Sequence, residues 1–176
     1  MVRSQYKFPR TPDHFPSRLP LPLQPVRKAH VRSSASAFAD DLIDQIIPAV
    51  EKTFRVSAKA DDRAIAGLLM GGGQTVAIGF THLDKFHNIA VFSAGGAGND
   101  PMKQFPDLLT DSAATNKKMK VIWICAGDKD FALPGAQNLD KLLIEHAIKH
   151  SFSTTPGLHE WKVWRCSLNQ FAPDPL

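Results

Sequence analysis

The chain has 176 residues, 43% hydrophobic and 22% charged, a composition within the ordinary range of globular domains. Folding at this length removes roughly 70% of the unfolded chain's surface from water, enough for one core without disulfides or a structural metal. Two cysteines exclude a disulfide scaffold, no apolar run reaches the length of a membrane-spanning helix, and the net charge of +4 is local: residues 1–38 balance at +6 and the remainder at −2.

That basic segment also holds six prolines (Pro9, Pro12, Pro16, Pro20, Pro22 and Pro25). Fixed φ and missing N–H donors exclude a long helix or central strand, so residues 1–38 are expected to be irregular or extended, with the domain proper over 39–176. Its positive charge has neither regularly interleaved aromatics nor a recognisable module beside it, which argues against a specific nucleic-acid partner. Prolines interrupt the apolar stretch from Leu19 to Val26, so it does not read as a signal-peptide core, and the cytoplasm is the default compartment.

From residue 39 helical and strand-like patterns alternate. Leu42, Ile43, Ile46, Ile47, Val50 and Phe54 recur at helical spacing, with Asp40 and Asp41 in the expected first turn and Pro48 at an expected kink. The run Ala64 to Leu68 reads as a strand, followed by a glycine-rich turn and a helix over Thr75 to Phe80. Further strands are expected at Asn88 to Ser93 and Lys120 to Cys125, with a connecting loop through Ser112 between them. A helix opens at Pro134 with a stripe of Leu139, Leu142, Leu143 and Ala147, and a last one presents Trp161, Trp164, Leu168 and Phe171 on one face. Strands alternating with helices predict an α/β fold, a mostly parallel sheet with helices on both faces.

In such sheets chemistry gathers at the carboxyl ends of the strands. Three sequences stand there. Gly67-Leu68-Leu69-Met70-Gly71 has glycines two residues either side of a central position, suited to a sharp strand-to-helix turn. Gly127-Asp128-Lys129-Asp130 follows the third strand, and Pro156-Gly157-Leu158-His159-Glu160-Trp161 follows a further run.

Elbow, acid and histidine in that order resemble the catalytic triad of the α/β-hydrolases. The segments Arg63 to Gly67, the elbow, Val91 to Gly95, Gly127 to Asp130 and Pro156 to Arg165 together resemble the carboxyl-terminal part of the esterase family that includes esterase D, enterochelin esterases and feruloyl esterases. The resemblance implies a truncated α/β-hydrolase fold, with Asp130 orienting His159 and His159 acting as general base. It implies an oxyanion donor in the backbone N–H of Met70, and a second from a loop in an amino-terminal half for which residues 1–38 offer no counterpart. It also implies that small-molecule or carbohydrate esters, such as feruloyl, acetyl or siderophore esters, were the ancestral substrates.

The family pattern is Gly-x-Ser-x-Gly, and this chain has Leu69 where the serine belongs. Leucine has no lone pair to attack a carbonyl. Loss of such a serine alone costs about 10⁶ in turnover. The expectation is an esterase-family chain that is inactive or strongly impaired; the alternative is a non-catalytic binding or regulatory protein.

Simpler readings stand beside each residue. Asp130 could only cap the helix near Pro134, and His159 could be a packed histidine at a helix start; their order after the elbow favours ancestry over these. Ser93 and Ser112 lack elbow geometry and read as a hydrogen-bonding strand end and a loop residue rather than replacement nucleophiles. His146 and His150, four apart on the expected helix, lack the remaining features of a zinc peptidase site, and Val76 stands where a dinucleotide fingerprint needs its third glycine. No metal or cofactor is expected. The resemblance makes the elbow strand central, so one edge of Ala64 to Leu68 is expected to lack its partner, to be covered by residues 1–38 or to drive self-association.

Overall fold

The computed structural model describes residues 34–171, with side-chain environments from Ala37. The irregular segment expected over residues 1–33 lies outside them. Among the described residues the order is α1 (Ser34–Asp41), a π-helical turn (Leu42–Ile46), α2 (Ile47–Thr53), a 3₁₀ turn (Ala60–Asp62), β1 (Ala64–Leu68), α3 (Met70–Thr81) and β2 (Asn88–Phe92). There follow α4 (Pro101–Gln104), α5 (Pro106–Leu109), α6 (Ser112–Lys118), β3 (Val121–Gly127), α7 (Leu133–Glu145), β4 (Ser151–Thr155) and α8 (Trp161–Phe171).

The four strands form one parallel sheet in sequential order β1-β2-β3-β4. Right-handed crossovers that always step in the same direction must put every connection on the same face. That is the arrangement found. The buried residues of α3 (Val76, Phe80), α5 (Leu108, Leu109) and α7 (Ala136, Leu139, Leu143) join Ile89, Val91, Ile122 and Ile124 in one cluster, where Phe80 and Phe105 meet edge to face at 5.4 Å. The opposite face holds the smaller cluster of Ala90, Phe92 and Cys125, packed by Phe171 of α8. β2 is buried along its whole length, as a strand covered on both faces should be.

β1 pairs only with β2 among the described residues, and Ala64 and Ala66 remain exposed. Its open side borders a groove of about 530 Å³ whose lining includes Phe38, Leu42, Ile46, Val50 and Ile65. Arg63 fastens the preceding helix to the sheet: its guanidinium donates to the carbonyls of Lys85 (3.0 Å) and Ala58 (3.1 Å) and ion-pairs with Glu51.

Several expectations need correction. Residues 34–38 are helical, so the 38/39 boundary falls inside α1, and Asp40 and Asp41 end that helix rather than begin it; the alanine-rich start carries it upstream of the first periodic apolar residue. The distortion expected at Pro48 takes the form of a π turn just before it, where the Ile47 N–H reaches the Leu42 carbonyl and the proline occupies the first turn of α2. The glycine run 71–73 lies inside α3, not before it. Ser112 opens α6, and three short helices replace the expected loop; each is too short to show periodicity. β3 runs two residues beyond Cys125. On α8 the buried residues are Val163 and Ser167, whereas Trp161 and Leu168 are exposed, so the buried face is rotated from the expected stripe.

Candidate active site

Three turns at the carboxyl end of the sheet build the site. At the first, the Leu69 N–H continues the sheet ladder to the Phe92 carbonyl (3.1 Å), while its own carbonyl accepts the Gly73 N–H (3.0 Å) and starts α3. Serving both elements forces Leu69 to φ 51°, ψ −111°. Such a backbone in a residue with a side chain costs about 1–3 kcal/mol and concentrates at functional turns. The turn closes so tightly that a Cβ on Gly67 would lie 2.1 Å from the Gly71 carbonyl oxygen. Leu69 is therefore held at the apex of an elbow, 45% exposed. Met70 follows at the first position of α3, where backbone N–H groups have no helical partner and the dipole favours negative charge.

The second and third turns are laced together. The Asp128 N–H donates to Thr155 O (2.9 Å), the Lys129 N–H to Gly157 O (3.0 Å), and the Gly157 N–H to the Asp128 carboxylate (2.8 Å). Gly127 makes this approach feasible, since a Cβ there would meet Gly157 O at 2.4 Å. The lacing brings His159 onto Asp130: its Nδ1 lies 2.9 Å from Oδ1 and 3.0 Å from Oδ2 of the carboxylate. A carboxylate accepts only, so Nδ1 carries the proton and the lone pair resides on Nε2, the tautomer a general base requires. The imidazole is clamped by Phe131 at 4.4 Å on one side and by Trp164, edge-on, at 4.9 Å.

Asp130 is buried, with its side chain fully removed from solvent. Burial opposes its charge, yet hydrogen bonds from Ser93, from the Ala132 N–H and from His159, with the attraction of a protonated imidazole, outweigh that cost and hold the carboxyl below its usual range. The bond from Ala132 (2.8 Å) closes a turn ahead of α7, whose N-cap is Ala132 and which has no side-chain cap, so Asp130 is not the helix cap of the simpler reading.

A shallow cavity of about 460 Å³ lies over the elbow, lined by Leu69, Met70, Ser93 to Gly96, Phe131, Ala132 and Gly135. None of its lining residues precedes Leu69, and His159 reaches it only through the Phe131 ring. Leu69, Met70 and Phe131 of its lining are exposed apolar side chains. The elbow follows β1, the acid β3 and the histidine β4, with β2 between the elbow and the acid–imidazole pair.

Other candidates separate from this site. His150 lies beyond the end of α7, with Nε2 on Asp140 (2.8 Å) and Nδ1 on the Ile148 carbonyl (2.8 Å), so it does not share a ligand position with His146. Among the described residues no cluster of three or more His, Cys, Asp or Glu could hold a metal ion. Cys125 and Cys166 are both free; burial pushes the Cys125 thiol up against weaker hydrogen bonding from Ser167 and Trp123, which leaves it a poor nucleophile. Sequence reasoning missed Ser93, Trp164 and Phe131 as members of the site. Ser93 was legible only as a strand end, and nothing in the spacing tells that Trp164 and Phe131 converge on His159.

A parallel sheet with this elbow and this acid–imidazole pair at its carboxyl ends has the architecture of an α/β-hydrolase. Residues 14–174 match the family model described as "Putative esterase", and the chain belongs to that esterase family. It is 29% identical over 145 residues to an endo-1,4-beta-xylanase/feruloyl esterase of Xylanibacter ruminicola, aligning with 79% of this chain and 18% of that one. Its fold resembles the feruloyl esterase module of Clostridium thermocellum (TM-score 0.66, 19% identity, 77% of this chain and 56% of that one). It also resembles an S-formylglutathione hydrolase from Staphylococcus aureus (TM-score 0.60, 25% identity, 78% and 63%). The chain therefore spans less than two thirds of these relatives' lengths.

Proposed function

We propose that this chain is an esterase-family protein that binds an ester or acid at its elbow cavity without cleaving it by the covalent route. One observation carries the reading: an aliphatic side chain, Leu69, occupies the apex of a strained elbow, and the cavity it lines is walled by Phe131, which packs on the His159 of a hydrogen-bonded Asp130–His159 pair. In the esterase reaction the apex oxygen attacks the carbonyl carbon, its proton passes to imidazole Nε2, and the acyl group is carried on the enzyme until water releases it. Leu69 supplies neither oxygen nor proton. Water activated by His159 alone is worth about 10² to 10⁴, too little for an efficient esterase.

The test is hydrolysis of p-nitrophenyl acetate by the parent chain and by Leu69→Ser. The parent is expected to show no burst and no acyl adduct by mass spectrometry, and Leu69→Ser to acquire a burst that His159→Ala removes. An adduct on the parent chain, or parent turnover that disappears with His159→Ala, refutes the proposal. An inactive Leu69→Ser would show that the rest of the oxyanion site matters as much as the hydroxyl.

The exposed Leu69, Met70 and Phe131 of the cavity favour retention of an aromatic acid or ester, the chemistry named for the feruloyl esterase relatives. Ferulate is expected to quench Trp161 and Trp164 emission saturably, and the absence of saturation counts against a binding role. The side of β1 that has no strand partner among the described residues supports self-association by strand pairing. A compact monomer by size-exclusion chromatography, unchanged by deletion of residues 1–32, rejects that reading.

A further inference from the structure

Ser93 follows β2 directly, fully buried, at φ 49°. Leu69 and Ser93 are two of the three described non-glycine residues with positive φ, and they stand at the ends of adjacent paired strands beside the same cavity. A serine that merely ends a strand needs only its backbone, and the Ser93 N–H does bond the Cys125 carbonyl at 2.7 Å. Its hydroxyl is used elsewhere. It accepts the Trp164 indole N–H at 2.9 Å, which leaves its single proton to donate, and the Asp130 carboxylate lies close enough to be stabilised by it.

The resulting chain runs from the Ser93 hydroxyl to the Trp164 indole, whose ring packs edge-on against His159, and from His159 Nδ1 to the Asp130 carboxylate. Each group in it has a bonded or packed neighbour on two sides. We propose that Ser93 is a positioning residue of this site: it fixes Asp130 and Trp164 together, and through them the orientation and tautomer of the His159 ring. The left-handed backbone turns its hydroxyl inward at the end of β2, so conformational strain is retained where glycine would relieve it. This inference rests on the reading of Asp130 and His159 as the site's acid and base.

Ser93→Gly provides the test, because glycine suits φ 49° and removes only the hydroxymethyl group. The ¹⁵N-labelled full chain is examined by imidazole NMR at about pH 8.5, two units above the ordinary imidazole value, with His159→Gln assigning the signals. The parent is expected to hold His159 in the Nδ1–H form. In Ser93→Gly the Nε2–H form should become populated and Nδ1–H exchange with solvent quicken about tenfold, the equivalent of one hydrogen bond to an ionised group. Thermal stability should be unchanged or raised. Trp164→Phe, which keeps a ring and removes the donor, should move the same signals in the same direction.

Unchanged His159 signals in both variants overturn the inference. So does a stability loss in Ser93→Gly that accounts for the loosening, which would make Ser93 a structural strand end. In a Leu69→Ser background, Ser93→Gly should lower kcat about tenfold with KM unaltered. If Leu69→Ser is itself inactive, the functional reading fails while the NMR result still decides the role of Ser93.

Discussion

The two elbow glycines differ in what they do, and replacing each by alanine separates them. A Cβ on Gly67 would sit 2.1 Å from Gly71 O, 2.3 Å from Gly71 C and 2.6 Å from Thr75 Oγ1, whereas a Cβ on Gly71 meets nothing within 4 Å. Ordinary contacts begin near 3.4 Å, so Gly67→Ala must drive strand and helix apart by about an ångström, against backbone atoms on a turn already fixed by the Leu69–Phe92 and Gly73–Leu69 bonds. Overpacking of this kind costs about 3 kcal/mol, the upper end of the usual range because no flexible side chain can give way. Gly71→Ala replaces a helical glycine in open space and should gain up to about 1 kcal/mol. Equilibrium denaturation followed by tryptophan fluorescence reads both, through the midpoint at constant slope. Equal losses for the two variants, or a neutral Gly67→Ala, would refute the claim that the elbow depends on close approach at Gly67 and not at Gly71.

Three further outcomes are expected. Asp130 is held below the ordinary carboxylate value of 3.8, so its contribution to stability is present above that pH and lost as pH falls through the folded value. Acid titrations monitored by circular dichroism should show a smaller loss of stability below about pH 4 for Asp130→Asn than for the parent, and identical acid limbs contradict the assignment. Arg63→Met leaves Glu51 and the Lys85 and Ala58 carbonyls without their donor and should cost about 2 kcal/mol, with faster amide exchange in α2 than in α7. A thiol reagent should modify Cys166 in the native chain and reach buried Cys125 only on unfolding; two fast thiols would contradict the packing of Cys125 under α8.

The sequence carries the fold wherever a strand is buried on both faces. Ile89 to Phe92 and Ile122 to Cys125 are uninterrupted apolar runs, and such runs between glycines and polar turns have few other readings. β4 escapes because it is an edge: Ser151 and Thr154 are exposed, and Ser-Phe-Ser-Thr-Thr lacks the apolar signal. The short helices α4 to α6 escape because one or two turns are too few to show a period. Within the site, Gly67, Leu69, Met70, Asp130 and His159 are legible because a resemblance fixes their spacing. Ser93, Phe131 and Trp164 reach His159 through tertiary contacts from three different elements, and no local pattern records such a meeting. The Leu69 backbone angle is likewise invisible in the sequence, since leucine has no preference for positive φ and the elbow's hydrogen bonds impose it.

Asp130 and His159 come from the loops after β3 and β4, on the far side of β2 from the open strand. The edge of β1 that is open among the described residues ends at Leu68, one bond from the apex. Any polypeptide that annealed along that margin would deliver its own next residues to the rim of the elbow cavity without touching the acid or the imidazole. Occupancy of that margin could therefore alter what the cavity admits while leaving the proton-handling half of the molecule undisturbed.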